Sequence, residues 1–260
     1  MQANAIVSDI ERQGFALLRQ AVSTQTARDY LAVLDVIYAG RTDTNGDVTP
    51  EDFNAASGLE LEDLFDQPQL MRAARLLIGR RVSVLSTFMS VGHEKAIPGL
   101  GLHTDGIIQG TTELTLTMWA PLHSCGTEAP GISVVPASNG QVLDYLRKEF
   151  PGKQIPGWCS TSEWAATGAF TVQAIRTAFG EPYRPTMDPG DVMLLTNWTI
   201  HGTNVRPEMT KRRSAAILRL RHQSFAAAAR AAPGRMLRRW RSHIRRGARC
   251  SPTVDRIGPI

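Results

Sequence analysis

Cysteine is scarce: Cys125, Cys159 and Cys250 are the only three in 260 residues. They are odd in number and fit neither a metal-finger spacing nor a disulfide framework, so they read as thiols of a reducing cytoplasm. Long apolar runs are missing too. Every uncharged stretch is interrupted by Gly, Pro, Ser, Thr or Asn, and none offers the roughly 18 apolar residues a membrane span needs. The opening MQANAIVSDIERQG has no basic stretch leading into an apolar core, so no secretory leader is expected there. No strand interleaves basic and aromatic residues and no nucleic-acid motif stands out, which argues against a genomic role. What remains is ordinary globular composition, 42% hydrophobic and 20% charged, which excludes a disordered or fibrous chain, and the length allows about one and a half to two domains or one large one equally.

The net charge of +5 conceals an asymmetry. Residues 223–260 hold nine arginines and one acid, a net +8, while residues 1–222 are slightly acidic at −3. Within the tail, Met236, Leu237, Trp240 and Ile244 recur at helical spacing with arginines between them. Residues 235–249 therefore read as a basic amphipathic helix. Such a helix suits an anionic partner or membrane surface, or packs its apolar stripe on the domain and leaves its arginines solvated.

Periodicity divides the body in two. Residues 1–80 read as mainly helical around a short strand at GFALL. Ser23-Thr24 caps a helix carrying Ala27, Leu31, Leu34 and Ile37, and a second helix over Pro68–Ile78 ends at Gly79. AGRTDTNGDVTPED between them reads as a loop. From Arg81 the pattern changes to VSVLSTFMSV, TELTLTMWAPL, GISVVPAS, DVMLLTNWTIHG and RSAAILRLR, short β-branched segments separated by turns. These predict an antiparallel sandwich or barrel over 81–222. A lid-like insertion at about 141–185, with a helix at Val142–Phe150, interrupts it. The expected organisation is a domain over 1–222 and a basic tail over 223–260.

His103 and Asp105, in GLHTDG, are two apart, so at a strand end they point to the same side and can share a metal. Six His and 13 Asp in this length give about 0.3 such pairs by chance, so the pair needs company. His201, in NWTIHGT, is the best third ligand. Two histidines and one carboxylate are the facial set of non-haem iron(II) oxygenases, with open positions left for reactants. Beyond His201, Arg212-Arg213-Ser214 open a strand, and a guanidinium there can grip a carboxylate bidentately. His93 and His123 fit no metal spacing and read as structural.

Five segments in this order resemble the phytanoyl-CoA dioxygenase-like family of iron(II)/2-oxoglutarate oxygenases. They are IERQGFALLRQAVS, GLHTDG, APGISVVPASN, MDPGDVMLLTNWTIHGTN and KRRSAAI. Ala137 and Asn139 stand where Gly and His are common in that family. The resemblance implies a double-stranded β-helix, a jelly-roll or cupin-like core of two antiparallel sheets with flanking helices. It also implies iron(II) on His103, Asp105 and His201, with 2-oxoglutarate and dioxygen as cosubstrates.

Strand alternation groups Arg212 with Ser214, Ala216, Leu218 and Leu220, and Arg213 with Ala215, Ile217, Arg219 and Arg221. Three arginines inside a barrel would leave buried charge unpaired. Arg212 with Ser214 is therefore expected to anchor 2-oxoglutarate, with Thr203 adding a hydroxyl and Arg213 as the alternative. Phe88, Met89, Trp119, Trp158, Trp164 and Trp198 are candidates for a substrate pocket.

The expected activity is a cytoplasmic dioxygenase that hydroxylates an unactivated C–H of a small or carrier-bound metabolite, with 2-oxoglutarate decarboxylated to succinate. Asp105 occupies the position that halogenases of this type leave to Ala or Gly. Two rivals stay open: a non-catalytic β-helix module that binds through the tail, and a metal enzyme that uses no keto acid.

Overall fold

The computed structural model describes residues 3–39, 46–92, 101–108, 113–149, 152 and 171–223, with backbone alone at 46, 47, 88–92 and 108. The compact unit that carries the site runs Met1–His222. Trp158, Trp164 and the basic segment 235–249 lie outside the described residues. Among those described, no helix is long and apolar enough to cross a membrane.

Helices form where the periodicity places them. In α1 (Ala3–Gln13), Ala3, Ile6 and Ile10 are buried. Strand β1 (Phe15–Leu18) follows. Helix α2 (Thr24–Ala39) buries Ala27, Tyr30, Leu34 and Tyr38, and Ser23 Oγ accepts the Thr26 N–H at 2.9 Å as its cap. The expected loop over AGRTDTNGDVTPED is only partly one. Residues Gly46–Val48 form β2, and α3 (Pro50–Ser57) begins inside the stretch. Thr49 accepts the Asp52 N–H, Pro50 opens the first turn, and Glu51 and Asp52 sit at its positive end. That start signal outweighs the polar composition. Helix α4 (Pro68–Ile78) buries Leu70, Ala73, Ala74 and Ile78 as its spacing predicts.

The remaining elements are β3 (Val82–Gly92), α5 (Asp105–Ile108), β4 (Thr115–Pro121), β5 (Gly131–Val134), α6 (Val142–Glu149), α7 (Val172–Phe179), β6 (Val192–Thr196), β7 (His201–Asn204) and β8 (Arg213–His222). Six strands form one sheet in the order β1-β6-β4-β8-β3-β2, every neighbour antiparallel. Strands β5 and β7 pair in a second sheet. Isolated bridges from His103 to His201 and from Val134 to Tyr183 extend it on both sides. DVMLLTNWTIHG is therefore two strands. A turn at Asn197–Thr199 carries the chain from the larger sheet to the smaller, and His201 arrives opposite β4 and β8. The result is the expected core of two antiparallel sheets with flanking helices.

Both faces of the larger sheet are covered. Ala216, Leu218 and Leu220 of β8 join Leu116, Met118 and Leu194 against the helices. Ala215 and Ile217 turn the other way, to Trp119, Met193, Leu195 and, from the smaller sheet, Ile132 and Val134. The interior of the barrel is thus the Arg213 face of β8.

Candidate metal centre

His103 and His201 are held together by backbone. Each donates its N–H to the other's carbonyl, at 2.8 and 2.9 Å, the pairing that puts both side chains on one face of an antiparallel ladder. Their rings lie 4.4 Å apart. Both Nδ1 atoms are committed to backbone, His103 to the Gly101 carbonyl at 2.8 Å and His201 to the Thr199 carbonyl at 2.9 Å. A carbonyl accepts only, so each Nδ1 carries the proton and each Nε2 presents a lone pair. Burial, together with the charge of His201, lowers the His103 pKa to about 4, so its imidazole is neutral and ready to ligate at neutral pH.

Asp105 opens α5, and its Oδ1 lies 3.9 Å from both Nε2 atoms. The turn that delivers it is tightly packed. Gly106 N–H donates to the Asn197 carbonyl at 2.7 Å, and a Cβ at Gly106 would meet the Trp198 ring at 2.8 Å. The second glycine of GLHTDG is therefore needed for close approach. The Asn197 side chain also accepts the Thr115 N–H and donates to the Glu113 carbonyl, so one buried residue, through its backbone and side chain together, ties the Asp105 turn to β4.

Two further side chains hold the carboxylate. Thr117 Oγ1 donates to Asp105 Oδ2 at 2.8 Å. Arg219 grips it in a fork, Nε to Oδ2 at 3.2 Å and Nη2 to Oδ1 at 3.1 Å. Burial alone would raise the Asp105 pKa, but the charges of His201, Arg219 and His103 outweigh it and hold the group well below the usual carboxylate range. The two Nε2 atoms and one carboxylate oxygen lie within 4.8 Å of one another, all on buried residues. This donor set fits a first-row divalent cation with positions left open.

The arginine expectation needs correction. Arg212 turns outward and forms an ion pair with Asp35 of α2. Ser214 lies on that same helix-facing side, fully buried. Arg213 turns into the barrel, where its Nη1 donates to Thr203 Oγ1 at 3.0 Å. The charge argument failed because the interior arginines are not all unpaired: Arg213 meets Thr203, and Arg219 meets Asp105. The helix-facing side is the more demanding one, since it needs the apolar row Ala216, Leu218 and Leu220.

Sequence reasoning missed Arg219, Thr117 and Asn197. Arg219 was visible as a charge at two-residue spacing from Arg221. Thr117 was visible only as an alternating polar position of a strand.

The pocket candidates divide. Trp119 and Trp198 are both core residues, at 5% and 7% exposure, the first among Ile217 and Met193 and the second against Ile107 and Ile200. The backbones of Phe88 and Met89 pair with Ile217 and Ala216. His123 is structural, accepting the Ser214 N–H through Nε2 at 2.9 Å.

No curated protein matches the chain in sequence. Solved structures share the fold. The carbocyclase SnoK of nogalamycin biosynthesis, described as non-heme and alpha-ketoglutarate dependent, superposes with a TM-score of 0.62 at 18% identity, over 85% of this chain and 86% of that one. The epimerase SnoN, solved with Fe3+, alpha-ketoglutarate and nogalamycin RO, gives 0.61 at 16% identity, over 85% and 83%. EvdO2 from Micromonospora carbonacea var. aurantiaca, solved with 2-oxoglutarate, gives 0.58 at 13% identity, over 83% and 89%. The family model for phytanoyl-CoA dioxygenase (PhyH) matches residues 10–206, a span that includes all three metal-ligand candidates, and the chain belongs to that family.

Proposed function

We propose that the chain is an iron(II)- and 2-oxoglutarate-dependent oxygenase that hydroxylates an unactivated C–H of a small or carrier-bound metabolite. The reading is carried by the convergence of two imidazole Nε2 atoms and one carboxylate oxygen in the barrel interior. His103, Asp105 and His201 would hold iron(II), which would let dioxygen oxidise both the substrate and 2-oxoglutarate, the keto acid being released as succinate and carbon dioxide.

This chain's own residues do the rest. The Gly101 and Thr199 carbonyls fix both imidazole tautomers. Thr117 and Arg219 fix the rotation of the Asp105 carboxylate. Arg213 is the anchor for the far carboxylate of 2-oxoglutarate, and Thr203, its present partner, turns its hydroxyl to donate to the same group. Trp119, Ile217 and Leu195 form a buried apolar cluster on the same interior face of the sheet, which keeps water from that side and strengthens the arginine contact.

The test is aerobic turnover with iron(II), 2-oxoglutarate and a panel of candidate metabolites, scored by succinate release and product mass. Hydroxylation adds one oxygen atom, epimerisation leaves the mass unchanged, and ring closure removes two hydrogens. Iron-dependent succinate release, abolished in His201→Ala, with a product one oxygen heavier supports the reading. Succinate with either of the other masses moves the chain to the chemistry named for SnoN or SnoK. Absence of succinate with every substrate refutes the oxygenase.

A further inference from the structure

We infer that Arg221 and Ser83 form a subsite for an acidic group, carboxylate or phosphate, on the primary substrate. The inference deepens the oxygenase reading and rests on the triad as the reaction centre. Alternation along β8 puts Arg213, Arg219 and Arg221 on the interior face. The first two are engaged, with Thr203 and Asp105 respectively. Arg221 forms no side-chain hydrogen bond or ion pair with a described residue, and its Nε, like that of Arg213, is shielded from solvent without a hydrogen-bond partner.

Its cross-strand neighbours are Ser83 of β3 and Thr115 of β4. Directly paired residues of an antiparallel sheet project to the same side, so all three line one patch. Ser83 Oγ is likewise shielded and without a partner. Native structures keep few shielded polar atoms unsatisfied, and a guanidinium N–H and a hydroxyl at directly paired positions, both without a partner, describe a site for an oxyanion.

Position separates this patch from the cosubstrate. At about 3.3 Å per strand residue, Arg221 lies roughly 7 Å along β8 from Arg219, which touches the metal-ligand carboxylate. Arg213 lies on the opposite side of Arg219, six residues back along the strand. An acid held at Arg221 therefore lies beyond Arg219, and the Asp105 carboxylate that it grips, from Arg213. A substrate so held presents a carbon a few bonds from its acidic group to the metal. A neutral analogue leaves the shielded Arg221 Nε–H and Ser83 hydroxyl, both on half-buried residues, without a charged partner and binds less tightly on that account. The guanidinium fork fits both carboxylate and phosphate, so the class is an acidic metabolite.

The test is calorimetric titration, under argon and at constant ionic strength, of protein loaded with iron(II) and 2-oxoglutarate. The probes are inorganic phosphate, acetate and, as the neutral counterpart of acetate, acetamide. Phosphate or acetate is expected to bind and acetamide not to, and the tighter of the two anions identifies the acid. Arg221→Gln is expected to weaken the anion about tenfold or more. Arg212→Gln, which removes an equal charge on the outer face, is expected to leave it unchanged. Ser83→Ala, expected to weaken binding about threefold, is the second variant if Arg221→Gln folds poorly.

Equal anion affinity in wild type and Arg221→Gln, or no anion binding in protein that holds 2-oxoglutarate normally, overturns the inference while leaving the oxygenase intact. The reverse failure is visible as well. Anion binding lost in Arg221→Gln, in protein that takes up no 2-oxoglutarate, keeps the acidic-ligand site and refutes the oxygenase reading instead.

Discussion

Arg212 and Arg213 are adjacent in sequence and opposed in space, and the cosubstrate distinguishes them. Arg213→Gln is expected to weaken 2-oxoglutarate binding by about tenfold to a hundredfold, the scale of a lost charge-assisted fork. Arg212→Gln should leave that affinity unchanged and cost at most about 1 kcal/mol, because its pair with Asp35 is partly exposed and screened. Calorimetric titration of both variants under argon decides this, and equal losses would contradict the assignment. His103 makes a second prediction. Its pKa is 6.5 in the unfolded chain and about 4 in the fold, so between these values the unfolded chain binds the extra proton. The metal-free protein should be fully stable above 6.5 and lose stability as pH falls toward 4. Denaturant midpoints across that window check it, and a flat profile would contradict the buried, neutral imidazole. The triad was legible because ligand chemistry restricts the residue types and their order survives in one dimension. Which of Arg212 and Arg213 turns into the barrel was not, because two adjacent arginines differ only in the face of β8 they occupy.

Turns account for most of what the elements do at the site. GLHTDG works because Gly106 lets the Asp105 turn sit against Trp198, and the Asn197–Thr199 turn moves the chain between sheets so that His201 meets His103. APGISVVPASN shows the opposite case. Ala137, standing where its family commonly has Gly, is held at φ +58, in the left-handed region that disfavours a Cβ. Ala137→Gly should therefore stabilise the protein by about 0.5–1 kcal/mol, the relieved strain exceeding the added unfolded-state entropy. Thermal or urea unfolding measures it, and destabilisation would show that the position is not strained. At this scale the sequence displayed the helices and strands well, since periodicity reports burial directly. It hid β2 and the start of α3, where a capping threonine, Thr49, lies within a polar stretch. It also hid the split of DVMLLTNWTIHG, because changing sheets leaves no mark on hydrophobic alternation.

In the whole molecule, the larger sheet is buried on both faces but for different purposes. Helices α1, α2 and α4 pack on one face, where Ala216, Leu218 and Leu220 complete an apolar layer. The other face looks onto the metal-ligand candidates, and there Thr117, Arg213 and Arg219 are tolerated because each has a partner within the barrel. The general rule that the apolar face points into a barrel was therefore misleading for β8, and it put the wrong arginine inside. The layered architecture itself was readable, because the change from helical to strand periodicity near Arg81 divides cover from core. What the architecture serves is tested most directly by anaerobic titration of the metal-free protein with iron(II) and then 2-oxoglutarate, following the weak visible charge-transfer band of a keto acid chelated to iron. The band should form in the wild type and vanish in His103→Ala and in Asp105→Ala. Iron(II) demonstrably bound at the triad, with no band at saturating 2-oxoglutarate, would contradict the keto-acid mechanism and leave a metal protein of another kind.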